Sequence, residues 1–240
     1  HGLFGAGTNL GALGRSLRDR YAVYAIDLPG HGRSARLETY TLSTMAEAVR
    51  GWLDHEGMGS VHLVGHSLGG KVAMQLALAA PGSVRSLVVA DIAPVAYPPR
   101  HDAVFAALQS VADADCDSRA AAQAILQAQL VEPGVVEFLL GSLARDDRGV
   151  YDWRFDLPGL RAGYAALSAA PAANGPWEGA VLFIKGEQSD YLREEHRADI
   201  DALFPHSQLR VMAGCGHWLH VEKPQLFNGI AGRFLDAQES

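Results

Sequence analysis

The chain has 240 residues, 48% hydrophobic and 20% charged, the balance of a globular protein with ample apolar side chains for a core. Its formal net charge is −7 and its lysines and arginines form no cluster, which argues against nucleic acid or an anionic membrane surface as partner. No apolar run approaches the ~20 residues that cross a bilayer, and the length suits one α/β domain with room for an inserted cap.

In chain order, the opening "HGLFGAGTN" is a glycine-rich loop. Glycines at positions 2, 5, 7 and 11 do not give G-x-G-x-x-G, so a dinucleotide loop is not indicated; the backbone can instead approach a ligand closely. "YAVYAID" (21–27) reads as a short buried strand closed by the turn signals of "LPGHGRS". "STMAEAVRGWLDHEG" reads as a helix, with Thr44 and Glu47 spaced as a capping box and Gly57 as its stop. "VHLV" (61–64) reads as a buried strand, followed by a tight turn and a helix over 68–80. "VRSLVVAD" (84–91) is another β-rich run. Short apolar strands alternating with helices indicate a parallel sheet covered on both faces.

From residue 94 to residue 176 the rhythm changes, and helical patterns follow without strands. Val136, Leu139, Leu140 and Leu143 share one helical face, as do Leu160, Gly163, Tyr164 and Leu167. The alanine-rich "RAAAQAILQAQL" keeps helical spacing. Strand-like runs return at 180–186 and 209–214, and a last helix is expected over 225–236. The expected division is therefore a core of 1–93 and 177–240 with a helical cap, 94–176, inserted between core strands.

"VHLVGHSLGGKVAM" admits two chemistries. Residues 65–71 fit the start of a phosphate loop, G-x-x-x-x-G-K, but the Mg²⁺-binding Ser or Thr that should follow is Val72. Residues 65–69 also fit G-x-S-x-G, the strand–turn–helix elbow that presents a nucleophilic serine, here Ser67. A serine hydroxyl needs a base, usually histidine. Of the 10 histidines, His217 has the best context: "GCGHWLHVEKP" directly follows the last strand, and loops at the carboxyl ends of parallel strands line the ligand crevice. His55, His62, His196 and His206 read as surface residues, His220 as packing or surface, and His66 as a candidate pocket-lining residue. The orienting acid should lie between serine and histidine in the chain. Asp91 and Asp190, each following a strand, both satisfy this; a turn or helix cap is the plainer alternative for either. The backbone N–H groups of Leu68 and of the opening loop are candidate oxyanion donors. Phe4, Tyr97, Trp153 and Trp218 are candidate pocket residues.

Together, "HGLFG", "DLPGHGRS", "GHSLGG" and "GCGHWLHVEKP" resemble, in order, the oxyanion loop, the loop after the fourth strand, the nucleophile elbow and the histidine loop of the α/β-hydrolase superfamily. "HGLFG", "GHSLGGK", "ADIAPV" and "GHWLHVEKP" together are similar to the bacterial YbfF-type esterases. The resemblance implies an α/β-hydrolase fold, a Ser67–His217–Asp91 triad with Ser189 assisting, an oxyanion hole at Leu3 and Leu68, and no metal or cofactor. It implies hydrolysis of short- to medium-chain esters or thioesters as small-molecule substrates. Superfamily members carry strands ahead of the "HG" loop, so a longer protein is expected. Many also carry G-x-x-D after the penultimate strand, whereas "GEQSD" places its Asp at 190, one residue later. Carbon–carbon hydrolases, cofactor-free haloperoxidases and triad-bearing receptors remain alternatives on this fold. The two cysteines, Cys116 and Cys215, lack metal-ligand spacing and read as reduced thiols of a cytoplasmic protein. The chain starts at His1, which leaves a signal peptide open; the oligomeric state is not readable.

Overall fold

The computed structural model describes residues 1–146 and 149–239. Helix α1 (Gly11–Leu17) follows the opening loop, and α2 (Leu42–His55) precedes strand β1 (Val61–His66). Next come α3 (Leu68–Ala79) and β2 (Val84–Ala90). Helices α4 (Asp102–Asp113), α5 (Arg119–Gln129) and α6 (Pro133–Gly141) follow, then β3 (Leu143–Arg145), β4 (Tyr151–Trp153) and α7 (Leu157–Ser168). The chain closes with β5 (Ala180–Gly186), α8 (Arg197–Leu203), β6 (Ser207–Met212), α9 (Leu219–Glu222) and α10 (Pro224–Asp236).

The main sheet has the order β1-β2-β5-β6 with every pair parallel. Its centre is β2 and β5, where Leu87, Val88, Val89, Ala90, Val181 and Ile184 are fully buried. Such unbroken apolar runs are what a strand covered on both faces requires. One face packs against α2 and α3; the other takes Leu13 and Leu17 of α1 and Phe227 and Ala231 of α10. Because all four strands run the same way, Ser67, Asp91, Ser189 and His217 follow their carboxyl ends. The backbone bonds Ser67 N–H to Ala90 O (3.0 Å) and Asp91 N–H to Ile184 O (2.8 Å) carry the ladder into the first two of these loops.

The helices α4 to α7 lie between β2 and β5 in the chain, in the region expected to be all-helical. A two-stranded antiparallel hairpin, β3 with β4, interrupts them. Leu143 therefore stands on a strand opposite Trp153, both buried, instead of extending the α6 face formed by Val136, Leu139 and Leu140. Strands of three residues are too short for their alternation to be legible in sequence.

Four other expectations are corrected. Residues 21–27 form no strand, and Val23 and Tyr24 are 41% and 56% exposed. Among the described residues the outer edge of β1 has no pairing strand, and β-rich residues form a ladder only beside a partner. For the same reason residues 61–64 are half-buried, not buried. The capping box of α2 lies one turn earlier: Thr44 N–H donates to Thr41 Oγ1 and Thr41 N–H to Thr44 Oγ1, each at 3.0 Å, and Gly57, at φ +64°, follows the helix end. His196, expected at the surface, is buried with its ring edge-on to Tyr97. No helix among the described residues is long and apolar enough to cross a membrane.

Candidate active site

β1 enters Ser67 at φ 53°, ψ −119°, and α3 begins at the next residue. This conformation is costly for a residue with a Cβ, and persists only where surrounding bonds dictate it. Four non-glycine residues have positive φ among those described, and Phe4, Ser67 and Asp91 are three of them. Strain is thus concentrated in the loops that converge at one sheet edge. The glycines make the turn sterically possible. A Cβ on Gly65 would overlap the Gly69 carbonyl and the Gly70 amide, and one on Gly69 would lie 2.7 Å from His1 O. Gly65→Ala is therefore expected to destabilise by about 3 kcal/mol or more, since the clash is with backbone that cannot yield. Urea unfolding measures this, and an unchanged midpoint would show slack in the turn.

Lys71 Nζ donates to three backbone carbonyls, Val95, Ser168 and Ala169, in the interior. A phosphate-loop lysine must reach solvent-borne phosphates, so the geometry removes the nucleotide reading.

Asp91 is fully buried directly after β2. Its Oδ2 accepts from His217 Nδ1 at 2.7 Å and from Ser189 Oγ, and its Oδ1 accepts from Gly186 N–H at 2.9 Å. A buried carboxylate needs such donors, because an unpaired charge out of water is prohibitively costly. Asp190 points elsewhere: its side chain is 66% exposed and takes two 3.0 Å bonds from Arg100 Nη1. Of the two acids left open by chain order, the structure brings Asp91 to His217. In the turn and bend that follow β5, Ser189 meets Asp91 and Tyr191 meets His217, while Asp190 turns out to Arg100. The Tyr191 ring stacks on His217 at 4.1 Å between centroids.

With Nδ1 held by Asp91, His217 is left with Nε2 for a substrate-side partner. His66 supports this loop from behind. Its Nε2–H donates to His217 O at 2.8 Å, and its ring packs between those of His217 and His220, at 4.7 and 4.4 Å. Burial, then the neighbouring His220 and His217, hold the His66 imidazole well below its usual value, so it stays neutral and can keep that donor in place.

The opening loop is fixed by the "DLPGHGRS" loop. His1 Nε2 accepts from Leu28 N–H at 2.9 Å, His31 Nε2 accepts from Phe4 N–H at 3.2 Å, and Gly7 N–H donates to Asp27 Oδ1 at 2.8 Å. Gly5 N–H donates to Gly2 O and Ala6 N–H to Asn9 Oδ1. The amides of residues 4 to 7 are all engaged in this scaffold, whereas that of Leu3 has no hydrogen-bond partner among the described residues. Leu3 and Leu68 line one small cavity of about 50 Å³ with Ser67.

His31 and His220 make the site acid-sensitive. Burial pushes both imidazoles down to about 4. Between pH 6.5 and 4 the unfolded chain binds protons at these sites and the native state does not, so stability falls as pH falls through that window. A loss on the order of a few kcal/mol is expected from pH 7 to 5. Urea midpoints at the two pH values measure it, and equal stabilities would contradict the buried, neutral assignment.

The cavity is also lined by Ile92, Tyr97, Arg100, His101, Tyr164, Leu167 and Tyr191. Of the pocket residues proposed from sequence, Tyr97 is there, and its hydroxyl accepts from Ala93 N–H and donates to Tyr191 O. The others are elsewhere. Phe4 is buried against Phe105 and Phe155. Trp153 stacks on Phe155 and donates Nε1–H to Leu108 O. Trp218 packs on Phe138. His66 lies behind His217. Aromatic residues serve cores more often than ligands, and nothing in the sequence separates the two uses. Arg100, His101 and Tyr191 were not singled out from sequence, because their place depends on how the 94–176 segment folds back over the sheet edge.

Comparison with known proteins agrees with this architecture. Residues 1–230 match the alpha/beta hydrolase family. Esterase YbfF of Escherichia coli (strain K12) is 38% identical over 98% of this chain and 91% of its own length. The sn-1-specific diacylglycerol lipase ABHD11 of Mus musculus is 35% identical over 98% of this chain and 79% of its own. A solved structure described as a marine microorganism esterase superposes with a TM-score of 0.94 at 32% identity, covering 98% of this chain and 92% of that one. On these matches the chain belongs to the alpha/beta hydrolase family.

Proposed function

We propose that the protein is a serine esterase that forms an acyl-enzyme on Ser67, with His217 as general base and acid and Asp91 as its orienting carboxylate. The observation that carries this reading is the 2.7 Å bond from His217 Nδ1 to a fully buried Asp91, one strand from the Ser67 elbow. Ser67 Oγ attacks the acyl carbon as its proton passes to His217 Nε2. The oxyanion that forms is held by the N–H groups of Leu68 and Leu3. Collapse returns the proton from His217 to the departing alcohol or thiol and leaves the acyl group on Ser67. Water then attacks that ester, giving its proton to His217, and the serine and a carboxylic acid are released. Asp91 fixes the imidazole tautomer and stabilises the imidazolium without taking the proton. Ser189 holds Asp91 Oδ2 from its other side.

The substrates proposed are small-molecule esters or thioesters, and residues 94–176 form the cap that encloses them. Relatives include both an esterase and a diacylglycerol lipase, which leaves the acyl length to the cavity. An engineered cavity of about 150 Å³ holds benzene; one of about 50 Å³ suits an acyl chain of a few carbons. A p-nitrophenyl ester series from acetate to decanoate, with an acyl-CoA series beside it, tests this. The expected kcat/KM is highest for short chains, and absence of turnover with every ester would overturn the reading.

A further inference from the structure

The chemistry proposed above does not use Lys71, the fourth residue after Ser67. It is 2% exposed, and among the described residues no carboxylate contacts it. Its Nζ donates to Val95 O and Ser168 O at 2.8 Å and to Ala169 O at 2.5 Å. All three N–H groups of an ammonium are thereby used. One turn further along α3, Gln75 is 3% exposed and grips Ala172 twice, Nε2 donating to its carbonyl at 3.1 Å and Oε1 accepting from its N–H at 2.8 Å. Val95 lies on the connection from β2 into α4; Ser168 is the last residue of α7, and Ala169 and Ala172 lie on the connection from α7 back to β5. One face of the elbow helix therefore holds both connections of the inserted segment. Tyr97 N–H, donating to Ser168 O at 2.9 Å, ties the two connections to each other.

A lysine is a costly way to fill this space. Desolvation pushes its ammonium down to about 7, and a methionine of similar length would pack without that cost. What the lysine adds is three directed bonds to two separate chain segments. It also lines the cavity beside Ser67, together with Leu167 and Ser168 from the end of α7. We propose that Lys71, assisted by Gln75, is a specificity-determining latch: by fixing both cap connections to the helix that carries Ser67, it holds the end of α7 as the wall that limits acyl length.

This inference rests on the esterase reading and is tested by Lys71→Met and Gln75→Met, assayed on p-nitrophenyl butyrate and octanoate. Lys71→Met is expected to raise the octanoate-to-butyrate ratio of kcat/KM by about tenfold, the scale of discrimination that a methylene-sized change in a pocket supplies, with a lowered KM for octanoate. Gln75→Met should move the ratio the same way by less, with butyrate turnover near that of the unsubstituted protein. A purely structural role would lower both esters together, so equal losses, or an unchanged ratio in variants whose circular dichroism is native, overturn the latch. If Lys71→Met does not fold, Gln75→Met decides by the same ratio. An active parent protein with unmoved ratios rejects the latch alone; an inactive parent protein rejects the esterase reading, and the latch with it.

Discussion

Ser67→Ala is expected to lower kcat for every ester by about 10⁶, the loss seen when the nucleophile is removed from a working triad. Ser67 is held at φ 53° after β1, ahead of a helix whose first free amide is a proposed oxyanion donor. Alanine has a Cβ, as serine does, so the turn and the fold should persist. Residual turnover should come from the oxyanion donors and from binding alone. Initial rates on p-nitrophenyl butyrate, with circular dichroism of both proteins, measure this. A loss of less than tenfold would assign the nucleophile elsewhere.

The second large effect separates two carboxylates. Asp91→Asn should lower kcat by about 10⁴, the cost of losing the acid that fixes the base's tautomer. Asparagine preserves shape but presents an amide where His217 Nδ1 and the Ser189 hydroxyl both meet Oδ2. The charge that stabilises the imidazolium is then gone. Asp190→Asn should cost at most about tenfold, since that carboxylate meets Arg100 at the surface, and an exposed ion pair contributes on the order of 1 kcal/mol or less. Comparable large losses in both variants would mean that both acids serve His217. The reverse order would move the triad to Asp190. Because Asp91 also accepts from Gly186 N–H, thermal melting must establish that Asp91→Asn is folded before its kinetics are interpreted.

The parts of this site legible in the sequence were those where local backbone geometry dictates residue type. Gly65 is required by contacts within the turn itself, whereas Gly69 makes room for the His1 backbone and Gly70 for the Ile92 and Val89 side chains. β5 and α3 could be placed closely because their apolar runs are long and bounded by turn residues. Chain order and strand ends narrowed the acid to two residues, and the one-residue displacement of Asp190 together with the resemblance favoured Asp91. What escaped depends on distant parts of the chain. Lys71 looks like part of a phosphate motif until three carbonyls from two remote segments surround it. Phe4 and Trp153 look like pocket aromatics until the hairpin and α4 bury them. The 21–27 segment has strand composition, but among the described residues no neighbouring strand supplies its hydrogen bonds.

The central claim is that Ser67 is the activated nucleophile, and covalent labelling tests it most directly. A fluorophosphonate reacts quickly only with a serine whose proton is taken by a positioned base. Peptide mapping by mass spectrometry after brief labelling should find one adduct, on the peptide containing Ser67. Label and ester turnover should be lost together as the reagent is titrated, and Ser67→Ala should take up none. An adduct on another residue, or full ester turnover in protein that remains unlabelled, would contradict the account.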